Sequence, residues 1–174
     1  IGARLLTLMY KAQSPEMEEY VRHTLQDLKT LTRGLAAPSH RLSHAAAEWK
    51  SDLSQRLSAA SVSLGWIVEF DQDMMLSVVQ WSALTRILRE LISNAIAHAQ
   101  TSRVDVEFYL RADRLDLRVS DAGIGRNPTA WSHGLGLGGV RKRVKQLGGE
   151  VEWREVEPQG IQCRVIIPEL STRS

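Results

Sequence analysis

Glu90, Asn94 and His98 recur at four-residue intervals in LRELISNAIAHA, residues 88–99. On a helix that spacing gathers them into one polar stripe beside the apolar face of Leu84, Leu88, Leu91 and Ala95. A purely structural helix gains nothing from asparagine in its middle, where the side chain competes for backbone hydrogen bonds. Its carboxamide oxygen is, however, a hard ligand suited to Mg²⁺, which usually shares its oxygens with nucleotide phosphates. Read alone, the stripe is a solvated helix face, since the spacing that lines it up is generic to helices. A second cluster, DAGIG (121–125), closes an alternating apolar run. Asp121 can there project a carboxylate over a pocket and accept a hydrogen bond from an exocyclic amine, as adenine carries. Gly123 and Gly125 free the backbone to turn against a flat ligand, although an ordinary Asp-Gly turn has the same composition. The third cluster is HGLGLGGVRKR (133–143), in which Gly134, Gly136 and Gly139 match G-x-G-x-x-G. Glycines so spaced let the backbone approach an anion, and the N-terminus of a following helix attracts it.

A dinucleotide-binding fold is one reading of that third cluster, and Glu155 or Glu157 would then serve as the ribose carboxylate. That fingerprint requires a strand directly before the first glycine. Arg126–His133, RNPTAWSH, has loop composition instead, so phosphate binding survives better than nicotinamide binding.

These clusters need a scaffold, and the 174 residues, 43% of them hydrophobic, suffice for one good core plus a short accessory element. Lys and Arg number 22 against 20 Asp and Glu, a net charge of +2, which gives no general affinity for nucleic acid or an anionic membrane. Cys163 is the single cysteine, so an internal disulfide and a cysteine-rich zinc site are excluded and a reducing, cytoplasmic setting is the default. No apolar run approaches the roughly 20 residues of a membrane helix. The chain opens on Ile1 inside an amphipathic pattern and reads as a fragment of something longer, with room for a membrane anchor upstream.

Residues 1–12 read as the end of a helix, and Ser14-Pro15-Glu16 as the start of the next. In that second helix Met17, Val21, Leu25, Leu28, Leu31 and Leu35 form an apolar stripe. Two such hairpins could bury their stripes as a four-helix bundle, so a homodimer is expected. GLAAPS (34–39) carries a helix-stop glycine and a proline and marks the boundary between a hairpin at 1–36 and a second domain at 37–174. Beyond it the pattern predicts helices over 43–60, 82–100 and 137–147, and strands over 63–70, 104–110, 115–119, 151–156 and 161–167. The polar tail after Pro168 is expected to fray. Helices on one face of a mixed or antiparallel sheet make an α+β, two-layer sandwich.

The trio LRELISNAIAHA, DAGIG and GLGLGGVRKRVKQLGG, in this order and spacing, resembles the Bergerat-type (GHKL) ATP-binding domain of sensor histidine kinases, gyrase-type topoisomerases, Hsp90 chaperones and mismatch-repair ATPases. Over about residues 40–168 it is most similar to the nitrate-sensor-like histidine kinases, and IGARLL at the start is similar to the segment just after their phosphoacceptor box. The resemblance implies ATP and Mg²⁺ as cofactors, with Asn94 holding the metal on the phosphates and Asp121 binding the adenine amine. It implies that Gly123 and Gly125 shape the base pocket, and that Gly134, Gly136 and Gly138 let a short lid close over the phosphates. Glu90 takes the acidic position that orients or deprotonates the accepting imidazole, while His98 and Arg143 match polar positions near the nucleotide; His98 at a helix end could equally cap carbonyls.

By the same resemblance the chain is an enzyme region that passes the γ-phosphoryl group of ATP to a histidine, for relay to a response-regulator receiver domain. The acceptor is expected upstream of Ile1. None of the five histidines present has the acceptor's flanking pattern, and His23 reads as a surface residue with no adjacent acidic partner. Two rivals remain at this point: a degenerate nucleotide-binding dimer module without kinase activity, and another GHKL ATPase. Arg141, Lys142, Arg143 and Lys145 form a basic run that either faces phosphate or is solvated, and Trp131 either covers the pocket edge or packs. Trp49, Trp66, Trp81 and Trp153 read as core or half-buried residues.

Overall fold

The computed structural model describes residues 15–36, 40–124 and 135–172, and the chain divides between Pro38 and Ser39 into two compact units. In the first unit a single helix, α1 (Pro15–Ala36), is described. It starts at proline, whose missing N–H costs nothing in a first turn, and Glu16 and Glu18 there favour the helix dipole. Val21 is buried, whereas Met17 and Tyr20 are exposed. The helix runs through Gly34 to Ala36, so the glycine does not stop it. His23 lies exposed, 3.8 Å from Glu19 one turn earlier, so it does have an acidic neighbour. Residues 1–14 lie outside the described residues.

The second unit is a two-layer sandwich. Its sheet has the order β1-β2-β3-β5-β4, with β1 (Ser63–Phe70), β2 (Arg103–Arg111), β3 (Arg114–Asp121), β4 (Glu150–Glu155) and β5 (Ile161–Ile167). The β1–β2 pair is parallel and the remaining pairs are antiparallel. Every second residue of the inner strands is apolar and buried: Val104, Val106, Phe108 and Leu110; Leu115, Leu117 and Val119; Ile161, Cys163, Val165 and Ile167. That period-2 pattern turns one face of the sheet towards the core.

Three helices supply the other half of that core. These are α2 (Leu42–Ala59), α3 (Val78–Asn94) and α4 (Leu135–Gln146). Leu42, Ala45, Ala46, Trp49, Leu53 and Leu57 of α2 are buried at three- and four-residue steps, and the Trp49 indole N–H donates to Thr85 Oγ1 at 2.8 Å. The start of α3 lies earlier than the expected residue 82. Ser77 and Gln80 form a reciprocal cap there, Gln80 N–H to Ser77 Oγ at 3.1 Å and Ser77 N–H to Gln80 Oε1 at 2.8 Å. The end of α3 differs too: the α-helix stops at Asn94 and continues as a wider π-turn, Ala95–Ala99, closed by Gln100 in the left-handed region at φ 49°.

The C-terminal tail is anchored rather than frayed. Leu170 is fully buried, its carbonyl accepts from Gln80 Nε2 at 2.8 Å, and its N–H donates to Asp113 O at 3.0 Å. Ser171 closes on the Asp113 carboxylate through its N–H at 2.9 Å and its hydroxyl at 2.6 Å. Buried apolar anchorage at Leu170 outweighs the local polarity that suggested fraying. Among the described residues no helix is long and apolar enough to cross a membrane.

Candidate functional site

Asp121 is the last residue of β3, where the alternation would place another core side chain. Its Oδ1 accepts from two backbone donors, Gly123 N–H at 2.9 Å and Ile161 N–H at 3.3 Å, which leaves Oδ2 as the acceptor for a ligand. Burial raises the pKa of this carboxyl above the ordinary aspartate value, and the two N–H bonds oppose that rise. Gly160 enforces the close approach of the β4–β5 connection: its φ is +121°, and a methyl group there would run into the Asp121 carbonyl oxygen. Glycine is required at that position on both counts.

Asn94 ends α3 on the opposite side of the same cavity, which Leu91, Ala95, Val119, Ser120, Trp153, Ile161 and Cys163 also line. The Asn94 Nδ2 is buried without a hydrogen-bond partner. An orphaned buried amide is costly unless a ligand or water completes it. The structure thus brings Asn94 and Asp121 to one cavity, the first from a helix end and the second from a strand end.

Glu90 is half-buried one turn before Asn94, and His98 is half-buried in the π-turn; neither lines that cavity. Because the backbone widens after Asn94, His98 does not continue the straight stripe that a regular helix would give. Gly123 is buried and serves through its N–H. Gly136 and Gly138 fall in the first turn of α4, and nothing lies within 4 Å of where a Gly138 side chain would begin. Gly139, the third glycine of the G-x-G-x-x-G match, is the crowded one: Arg143 Nη1 lies 2.6 Å from its would-be Cβ, so the Arg143 side chain folds back over it. Gly125, Gly134, Trp131, His133 and the rest of the expected lid lie outside the described residues.

Residue-by-residue reading missed the apolar lining, Trp153 and Ile161 above all. Trp153 lies opposite Cys163, and Cys163 opposite Val119, across three strands; only strand pairing puts them in one row. Arg141 stands with its guanidinium 5.0 Å from the centre of the Trp153 ring, a cation–π contact. Among the described residues no group of three or more His, Cys, Asp or Glu could hold a metal alone.

Residues 80–171 match the family of histidine kinase-, DNA gyrase B-, and HSP90-like ATPases. The chain belongs to that family. This ATPase chain is 32% identical over 103 residues to the sensor histidine kinase LiaS of Bacillus subtilis, 58% of the chain against 29% of LiaS. It is 35% identical over 86 residues to the signal transduction histidine-protein kinase/phosphatase UhpB of Salmonella typhimurium, 49% of the chain against 17% of UhpB. It therefore spans less than a third of either relative. The histidine kinase domain of the Erythrobacter litoralis EL346 blue-light activated kinase matches it with a TM-score of 0.66 at 21% identity, over 92% of this chain and 77% of that one. Full-length ShkA in complex with AMPPNP matches with a TM-score of 0.61 at 20% identity, over 95% of this chain and 41% of that one. At such identities the structural likenesses show the fold, that of histidine-kinase catalytic domains. The family makes this an ATPase domain, and the relatives that share its sequence are histidine kinases.

Proposed function

We propose that the cavity between the end of α3 and the ends of β3 and β5 is the ATP site of a two-component sensor kinase of the nitrate-sensor-like kind, and that residues 1–36 contribute most of a dimerisation hairpin. The observation that carries this reading is the pairing of Asp121, whose Oδ1 is committed to two backbone N–H groups, with the orphaned Asn94 amide across one cavity. Asp121 Oδ2 accepts from the adenine exocyclic amine. The Asn94 carboxamide reaches the phosphate side, and its oxygen and nitrogen exchange places by rotation about the last side-chain bond. A lone carboxamide, with no acidic cage, fits a Mg²⁺ ion whose remaining ligands are phosphate oxygens and water. Held there by Asn94, Mg²⁺ would supply neutralisation of the charge on the transferring phosphoryl group.

Glu90 orients the accepting imidazole. Gly134, Gly136 and Gly138 let the backbone and the N-terminus of α4 approach the phosphates, with His98 and Arg143 at the polar margin and Gly123 and Gly125 shaping the base pocket. The acceptor is a histidine other than the five in this chain, and the phosphoryl group passes on to a receiver domain of a response regulator. Titration calorimetry of Mg-ADP into the wild type, Asp121→Asn and Asn94→Ala tests both contacts. Both variants should bind at least tenfold more weakly, the loss of about one charged or metal-directed contact. Equal affinity in all three would remove the assignment.

A further inference from the structure

The cavity is narrow: about 20 Å³, room for about one water molecule. A purine seated there lies directly against the cavity walls, and the bulk it can carry depends on which wall can yield. The floor is a row across three strands, Val119 of β3, Cys163 of β5 and Trp153 of β4, with Asp121 and Ile161 two residues further along. Val119, Cys163 and Ile161 are 4–5% exposed and stand on inner strands of the sheet. Leu91 and Ala95, on the helix side, are buried as deeply. Moving any of these disturbs the core that holds the sandwich together. Trp153 differs in both respects: it is half-buried, and β4 is an edge strand. Its ring also carries the Arg141 guanidinium, which ties it to α4, the helix whose first turn holds Gly136 and Gly138.

We propose that Trp153 is the specificity-determining residue of this site: a movable indole wall, held closed by Arg141, that limits the size of the base admitted beside Asp121. The proposal rests on the reading of Asp121 as the acceptor for the adenine amine. A substituent on that exocyclic nitrogen must share the cavity with Asp121, and it then meets Trp153, Ile161 or Cys163. Of these the indole, half-buried on an edge strand at the margin of the core, is the one whose truncation disturbs the core least. Adenine itself is flat and needs only a modest shift of the wall, whereas a bulky N6 substituent cannot be accommodated while the indole is present.

The test uses the whole chain and titration calorimetry with two probes, Mg-ADP and Mg-N6-benzyl-ADP, against the wild type, Trp153→Ala, Trp153→Leu and Arg141→Gln. Wild type should prefer Mg-ADP by roughly 10- to 100-fold, the scale on which an apolar pocket rejects excess bulk. The readout is the ratio of the two affinities within each variant: Trp153→Ala should abolish the preference, Trp153→Leu should reduce it, and Arg141→Gln should weaken it by freeing the indole. Thermal melting confirms folding, and if the alanine variant does not fold, the leucine variant carries the test. A variant at Trp153 that keeps the wild-type ratio of Mg-ADP to benzyl-nucleotide affinity overturns the proposal, as does a wild type that accepts both equally. A wild type that binds neither nucleotide overturns the ATP-site reading and this proposal together. Failure of the proposal alone leaves the loss of Mg-ADP binding by Asp121→Asn intact.

Discussion

Asp121→Asn exchanges one atom type in a site whose geometry is otherwise kept. The asparagine oxygen can still accept from Gly123 and Ile161, at 2.9 and 3.3 Å in the native site, which forces its NH₂ into the place of Oδ2. A donor then faces the exocyclic amine, itself a donor. Losing a hydrogen bond to a charged acceptor costs about 1.5–3 kcal/mol, and a buried donor left without a partner about 1–3 more. The sum, about 2.5–6 kcal/mol, is a loss of roughly two to four orders of magnitude in Mg-ADP affinity.

Stability should move the other way. Burial raises the Asp121 pKa in the folded chain despite the two N–H bonds that lower it. A carboxyl whose folded pKa is raised favours folding below its unfolded pKa and weakens it once pH exceeds the folded value. At neutral pH the ionised carboxylate is therefore a cost to the native state, and a neutral amide of the same shape relieves it. The expectation is an Asp121→Asn chain that melts at or above the wild-type temperature at pH 7 while calorimetry finds its Mg-ADP binding lost. A nucleotide whose purine lacks the 6-amino group should bind both forms alike. An Asp121→Asn chain that melts lower and loses affinity in proportion would refute the reasoning, because Asp121 would then be a structural residue. Retained affinity would refute it equally.

Asp116, on the open face of the sheet, takes hydrogen bonds from Arg118 and Arg164, each with an Nη2–Oδ2 distance of 2.9 Å. Burial pushes its pKa up, yet the hydrogen bonds from Arg164 and Arg118 hold it at about 2. The stability this supplies is present above the unfolded pKa and disappears as pH falls through the folded value. Urea unfolding should find Asp116→Asn less stable by about 1–2 kcal/mol at pH 7, with the difference closing as pH falls towards 2, allowing for screening of two part-exposed guanidiniums. Gly160→Ala should lower both the melting temperature and the affinity for Mg-ADP, since its methyl meets the Asp121 carbonyl. Gly138→Ala, with nothing within 4 Å of the new methyl, should raise stability by about 0.5–1 kcal/mol in a helix. Gln80→Ala removes one half of the α3 cap and the bond to the Leu170 carbonyl. It should cost about 2–3 kcal/mol in urea unfolding, with hydrogen exchange rising in residues 168–172.

Much of the second unit is legible from periodicity, because burial on one face imposes a period of two on strands. Leu115, Leu117 and Val119 alternate with polar neighbours, and the expected strands at 63–70 and 161–167 coincide with β1 and β5. Expectation failed where a non-local partner decides the outcome. The start of α3 at Val78 depends on the Ser77–Gln80 cap, and Gln80 also answers to Leu170, ninety residues later. The same contact converts the apparent loose end into a buried 3₁₀ turn, Leu170–Thr172. The parallel β1–β2 pairing and the β3-β5-β4 order are likewise long-range facts that no local pattern encodes, and the second brings Trp153 and Asp121 to one cavity.

Asn94 and Asp121 stand out in the sequence for a different reason, which also explains why function gathers at this seam. Each breaks a local rule: an amide inside a helix, and a carboxylate where the strand alternation calls for an apolar residue. Within the described residues that of Asp121 is repaired only in part, by two N–H bonds to Oδ1, and that of Asn94 Nδ2 not at all. The Asn94 Nδ2 has no partner, the Asp121 carboxyl is desolvated, and the helix beside them widens into a π-turn at Ala95–Ala99. The buried polar side chains earlier in α3 contrast with them: that of Gln80 is satisfied by two hydrogen bonds, and that of Thr85 by Trp49 and the Trp81 carbonyl. Three departures from the folding optimum around one cavity are what a binding site requires: groups kept short of partners so that a ligand can supply them.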